Sequence, residues 1–310
     1  MSENILLSHL LEKIPTLKGS NSRALEQQLK NFNKKVVVLD DDPTGIQTVH
    51  GVSVFTDWSK ESMVEGFNEQ SPVFFILTNS RSLKKEQTRK VHTEIAYNIM
   101  YAANKTNKDY IVVSRSDSTL RGHYPLETEI LKQCIEHQSG TKIHGEIIIP
   151  FFKEGGRVTV FDTHYVVDGE KAIPAGKTEF ARDTAFGYKS SNLKEWVEEK
   201  TIGRYSKDNV FSVSLEMIRE ENFTGIKKIL DDCWGFSKIV VNAVEYQDLE
   251  NFCIPLIFSI NKGKRFIFRT AASFVRVVSG IPQKPLLEAK DLVRKHNNNG
   301  GLVVIGSHVN

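Results

Sequence analysis

The sequence predicts an α/β fold: a doubly wound, mostly parallel sheet with helices on both faces, a small β insertion, and the start of a second domain. Three observations predict it. Short apolar runs at 36–39, 52–55, 73–77, 111–113, 147–149, 239–241 and 266–268 alternate with amphipathic stretches, the pattern of βαβ units whose strands are buried on both faces. Residues 155–190 break that rhythm with two short apolar runs and the turn signal Asp168-Gly169, which reads as a β insertion. Finally, Asn297-Asn298-Asn299-Gly300-Gly301 precedes Leu302-Val303-Val304-Ile305, a linker followed by a new strand.

Taken in order, residues 1–33 carry Ile5, Leu6, Leu10, Ile14, Leu25 and Leu29 at near-helical spacing broken around Pro15. Two helices covering the main body are expected, as an N-terminal helical extension. Residues 34–290 form the α/β domain, with helices expected at 84–101 and 126–137, where apolar residues keep to one face. Residues 291–310 read as a linker and the first strand of an incomplete further domain.

Composition narrows the function. Forty-one basic against 38 acidic residues leave a net charge of +3, too small for a nucleic-acid surface. A small-molecule partner fits better. No apolar run reaches the roughly 20 residues that span a bilayer, and the first residues lack a basic region and a cleavage site, so a soluble, cytoplasmic protein is expected, with no membrane partner. Cys134, Cys233 and Cys253 have no metal-type spacing and read as packed thiols. The nine histidines are scattered, so no protein-held metal site is predicted.

Chemistry concentrates at strand ends. The first apolar run empties into Asp40-Asp41-Asp42-Pro43-Thr44-Gly45 and the run at 111–113 into Ser114-Arg115-Ser116-Asp117-Ser118-Thr119-Leu120-Arg121-Gly122. Buried parallel strands deliver such groups to the carboxyl edge of a sheet, where crevices form. Three consecutive aspartates repel, and need a cation, a metal or ligand hydroxyls. One of them could simply cap a helix, which leaves two unexplained. The second segment mixes acceptor, hydroxyls and a forked cation suited to a carboxylate or phosphate. A third polar loop, Thr78-Asn79-Ser80-Arg81, adds Arg81, and Arg269-Thr270-Ala271-Ala272-Ser273 is a minor candidate. No Gly-x-Gly-x-x-Gly or P-loop run follows a strand, so no nucleotide pocket is read within 34–290.

At these residues the sequence resembles the four-carbon acid sugar kinase family, whose members phosphorylate 3-oxo-tetronate, threonate or erythronate. Asp41-Asp42-Pro43-Thr44-Gly45 matches its early motif and Asp117 through Gly122 its Asp-Ser-Thr-Leu-Arg-Gly. Further agreement lies in Thr78–Arg81, Gly156-Arg157, His164-Tyr165-Val166 and Thr178 through Asp183. Arg115 stands where many relatives have lysine. The resemblance implies phosphoryl transfer from ATP, with Mg2+, to the terminal hydroxyl of a small sugar acid. It implies binding by Asp41, Asp42, Thr44, Arg81, Arg115, Asp117, Ser118, Thr119 and Arg121. Arg121 with Arg81 would hold the carboxylate and the aspartates the hydroxyls; Asp42, taken as nearest a following helix start, would be the base. Ser307 matches a nucleotide contact in a further ATP-binding domain of which only the beginning is recognised, so the chain reads as a truncated kinase. Expected partners are a sugar acid and ATP, with room for a homo-oligomer.

Two other readings stay open. One is a non-catalytic sugar-acid-binding domain. The other is a haloacid-dehalogenase-like Mg-dependent phosphatase, with Asp40 as nucleophile and Asp42 as acid/base; no later acidic pair completes its metal site, and Asp117 through Gly122 has no role in it.

Overall fold

A computed structural model describes residues 5–285 and 287–292. Its strands are β1 (Ile5–Leu6), β2 (Lys34–Asp40), β3 (Val54–Phe55), β4 (Val73–Leu77), β5 (Asp109–Arg115), β6 (Gly145–Ile149), β7 (Arg157–Val160), β8 (Thr163–Asp168), β9 (Lys171–Pro174), β10 (Phe211–Val213), β11 (Ser237–Val241) and β12 (Phe266–Thr270). Eight of them form one sheet in the order β10-β11-β6-β12-β5-β2-β4-β3, parallel throughout the described residues.

The apolar strands are continuous because both faces are covered. Along β2, Val36 and Val38 pack toward Leu25, Ile226, Phe252 and Phe274 on one face. Val37 and Leu39 pack toward Met63, Ile95, Ile99 and Ile130 on the other. The helices Lys85–Thr106 and Leu126–Ser139 supply that second face, each running past its expected end. β10 escaped the periodicity because an edge strand of three residues, beginning with the exposed Phe211, carries almost no pattern.

The insertion is a second, antiparallel sheet in the order β1-β9-β8-β7. Its β8–β9 hairpin closes through a two-residue loop, Gly169-Glu170, with Gly169 at φ +56. At the start of the chain the two expected helices, Leu7–Leu11 and Ser22–Lys30, flank the break around Pro15, but Ile5–Leu6 is a strand on β9. Edge pairing satisfies backbone groups there, as when the Leu7 N–H donates to Glu170 O at 2.9 Å, so tertiary contact overrides helical spacing. Ser307 and the expected final strand lie outside the described residues.

Strand order fixes where a crevice opens. After β2 the chain goes to β3 on one side; after β5 it goes to β6 on the other. The connections therefore part between β2 and β5, the switch point at which open α/β sheets hold ligands. Asp40 is directly opposite Arg115 in that pairing, and Arg115 is opposite Thr270 of β12.

Candidate functional site

At the switch point the loops after β2, β4 and β5 interlock. Backbone bonds set them: Asp41 N–H donates to Arg115 O at 3.2 Å, Thr78 N–H to Asp40 O at 2.9 Å, and Arg81 N–H to Asp41 O at 3.2 Å. No helix begins after β2, because residues 41–48 are turns. The helix-start ground for preferring Asp42 as base is thus corrected: Asp42 accepts from Thr44 N–H at 2.7 Å and from the Thr44 hydroxyl, a side-chain-closed turn. Gly45 is obligatory there, since a Cβ would sit 1.5 Å from Asp40 Oδ2.

Charges then pair across the loops. Arg81 Nη2 pairs with Asp42 and lies 3.4 Å from Asp41 Oδ1, while its Nη1 donates to Asp117 Oδ1 at 3.0 Å. Asp117 is the hub. It accepts from Arg121 Nε at 2.8 Å and Nη2 at 3.1 Å, from Thr119 N–H at 3.2 Å and from the Thr119 hydroxyl. Arg121 also lies 3.8 Å from Asp183. Arg115 is buried under the first loop, 3.4 Å from Asp40 Oδ1, donating to Thr44 O and Gln47 Oε1 at 3.4 and 3.3 Å. The structure thus joins Asp41, Asp42, Thr44, Arg81, Arg115, Asp117, Thr119 and Arg121 in one network, with Arg115 as a brace beneath it.

Burial sets the acidities. Desolvation pushes Asp40 up to about 6 and Asp41 up to about 7, against the pull of Arg115 and Arg81. Desolvation acts the same way on Asp117, but Arg121 hydrogen bonds and charge, then Arg81, outweigh it and hold that carboxyl well below the usual range. Asp41, 2% exposed, keeps Oδ1 without a hydrogen bond; its Oδ2 accepts from Asp117 N–H at 3.2 Å. Asp40 is equally buried, with its carboxylate packed against Gly45 and Arg115. Carboxylate oxygens of Asp40, Asp41 and Asp42 all lie within 4.8 Å of one another, an oxygen-only donor set of the kind Mg2+ takes.

The insertion holds the Asp117–Gly122 loop in place. Burial pushes His164 down to about 4, so the ring is neutral: Nε2–H donates to Ser118 O at 2.8 Å, and Nδ1 accepts from the Thr159 hydroxyl at 3.0 Å. Tyr188 donates to Thr119 O at 2.6 Å, and Arg269 Nη2 to Arg121 O at 2.9 Å. These bonds hold Leu120 at φ +70 and Gly122 at φ +110, left-handed positions that cost energy for Leu120. Ser118 enters through its carbonyl, with its side chain half-buried.

Two buried residues behind the loop were not singled out by sequence reasoning. Glu127 accepts from Ser80 Oγ at 2.6 Å and lies 3.7 Å from His92 Nε2. Its charge helps to raise Asp41. The signal was a carboxylate at i−3 and i−4 to Ile130 and Leu131, on the apolar stripe of its helix.

A parallel sheet with fixed carboxylates and guanidinium groups at its switch point defines an α/β domain for a small polar ligand. The family model described as a sugar-binding N-terminal domain matches residues 36–278. The chain belongs to that family of sugar-binding domains. Among solved structures it is similar to a domain of unknown function (DUF1537) from Bordetella bronchiseptica, a domain-swapped dimer with bound citrate (14% identity, TM-score 0.58, 79% of this chain and 55% of that one). A Salmonella typhimurium LT2 protein provisionally named a tRNA synthase is also similar (13%, 0.56, 79% and 54%). So is a DUF1537 protein from Haemophilus influenzae (15%, 0.54, 80% and 57%). At these identities the likeness establishes the fold. The chain spans little more than half the length of each structure. No curated protein matches it. Among the described residues, no helix is long and apolar enough to cross a membrane.

Proposed function

We propose that the chain binds a four-carbon sugar acid (3-oxo-tetronate, threonate or erythronate) and presents its terminal hydroxyl for phosphorylation by ATP. The observation carrying this reading is the switch-point network itself: Asp41, Asp42 and Asp117 converge under a single guanidinium, that of Arg81, whose side chain is only 17% exposed. Displacing Arg81 would remove one contact from each of three neighbouring carboxylates, an arrangement matched to a polyol chain. Citrate in the Bordetella relative, a hydroxylated carboxylic acid, supports the ligand class.

In the transfer, the substrate oxygen forms a bond to the γ-phosphorus, the bond to the ADP oxygen breaks, and the hydroxyl proton passes to a carboxylate. Asp41 suits that last role better than Asp42. Its Oδ1 accepts no hydrogen bond, with Arg81 Nη2 at 3.4 Å, and its pKa is near neutrality, where a general base works best, whereas Asp42 accepts from Thr44 and pairs closely with Arg81. Mg2+, held by Asp42, would neutralise charge on the ATP phosphates and leave Asp41 to take the proton. A second copy of the chain is a proposed partner, after the dimer of the Bordetella relative.

Calorimetry with erythronate, threonate and ATP, beside a coupled ADP-release assay, tests this. Heat with an acid is expected, and Asp41→Asn should abolish any ADP release. Heat with the acids alone would make the chain a binding domain, and absence of heat with either acid would end the sugar-acid reading.

A further inference from the structure

The network leaves open which cation receives the ligand's carboxylate. Arg121 is saturated by Asp117 and flanked by Asp183, and Arg81 is spread over three aspartates. A third guanidinium reaches the same place from the insertion. Arg121 and Arg157 lie over one aromatic ring, that of Phe180, with their guanidinium carbons 5.0 and 5.7 Å from its centre. Arg157 is half-buried, its Nε is enclosed without an acceptor, and its Nη1 donates only to Gly155 O of its own turn. Among the described residues it takes part in no ion pair.

Burial and the neighbouring Arg121 disfavour the Arg157 cation, and Asp117 and Glu179 offset this only from beyond ion-pair distance. The backbone nevertheless fixes Arg157 there. It exchanges two bonds with Phe152 (2.8 and 3.0 Å), and the turn before it uses Gly156 at φ +69, where a Cβ would lie 2.9 Å from Val167 O. A guanidinium held ready and left unpaired, beside carboxylates suited to hydroxyls, matches a ligand with a carboxylate at one end and hydroxyls along the rest.

We infer that Arg157 is the carboxylate-binding residue of this site and selects acids over the corresponding neutral polyols. The inference rests on the sugar-acid reading, and the test separates the two. Calorimetry on the full chain compares erythronate with erythritol, its neutral counterpart, for the wild type, Arg157→Met and Arg157→Lys. Arg157→Met should weaken erythronate binding at least tenfold and erase the preference over erythritol. Arg157→Lys, which keeps the charge but not the fork, should fall between. Wild-type affinity for erythronate in a folded Arg157→Met overturns the inference while leaving the sugar-acid reading intact; a wild type that ignores erythronate and threonate overturns both. Should Arg157→Met fail to fold, phenylglyoxal labelling of the wild type decides. Saturating erythronate should cut modification at Arg157 severalfold, and unchanged labelling overturns the assignment.

Discussion

Two sets of buried ions in this molecule follow different rules. Arg219 and Asp248 form a closed pair: Nε to Oδ1 at 2.8 Å and Nη2 to Oδ2 at 3.1 Å. Asp248 takes two further backbone N–H groups at 2.9 and 2.8 Å, and Arg219 also donates to Pro15 O at 3.0 Å. That pair ties the N-terminal segment to the helix Tyr246–Asn261 and leaves nothing for a ligand. The switch-point network shares each guanidinium among several carboxylates, leaves Asp41 Oδ1 without a hydrogen bond, and leaves Arg157 with no ion pair among the described residues. A one-to-one pair is architecture; an over-shared network with spare capacity is a site.

Breaking each hub sharpens that contrast. Asp117→Ala should give the largest effect, a stability loss of about 3–5 kcal/mol from stranding Arg121, together with roughly a hundredfold loss of erythronate affinity. Urea unfolding and calorimetry read the two. Asp248→Ala should cost a similar ~3–5 kcal/mol yet leave the affinity of the folded fraction unchanged. If it weakens binding as Asp117→Ala does, the distinction between the two ion sets is lost. Gly45→Ala forces a Cβ into the Asp40 carboxylate and should cost roughly 1–3 kcal/mol, visible as a lower unfolding midpoint.

The smallest effect is a pH dependence. The folded pKa of Asp41 is pushed up to about 7, above the ~3.9 of an unfolded chain. The folded state therefore holds the proton more tightly, and the contribution of Asp41 to stability falls as pH rises from about 4 to about 7. Asp41→Asn should raise the melting temperature relative to wild type more at pH 8 than at pH 5, and an equal shift at both would place that proton elsewhere. Asp117 acts with the opposite sign: its stabilisation is present above about pH 4 and lost progressively below, so acid unfolding should begin earlier in the wild type than charge count alone implies.

The sequence by itself determined the parallel sheet, a hairpin in the insertion, and the loops that carry the chemistry. Each of these is local: an apolar run of strand length, a turn dipeptide, a change from apolar to charged residues at a strand end. The aspartates and Arg121 were legible as a group for the same reason. Only the tertiary structure decided how they pair. Strand order places β5 beside β2 and sends their connections apart, so Arg81 joins Asp117 to Asp41 and Asp42, Asp41 Oδ1 is left without a hydrogen bond, and Arg157 comes from the insertion to the ring of Phe180; the Asp117–Arg121 pair, four residues apart in one loop, is the local exception. Electrostatic partners are set by distances across the chain's path, which residue spacing does not encode, and burial, which moves the acidity of Asp41, exists only once the surrounding layers have closed.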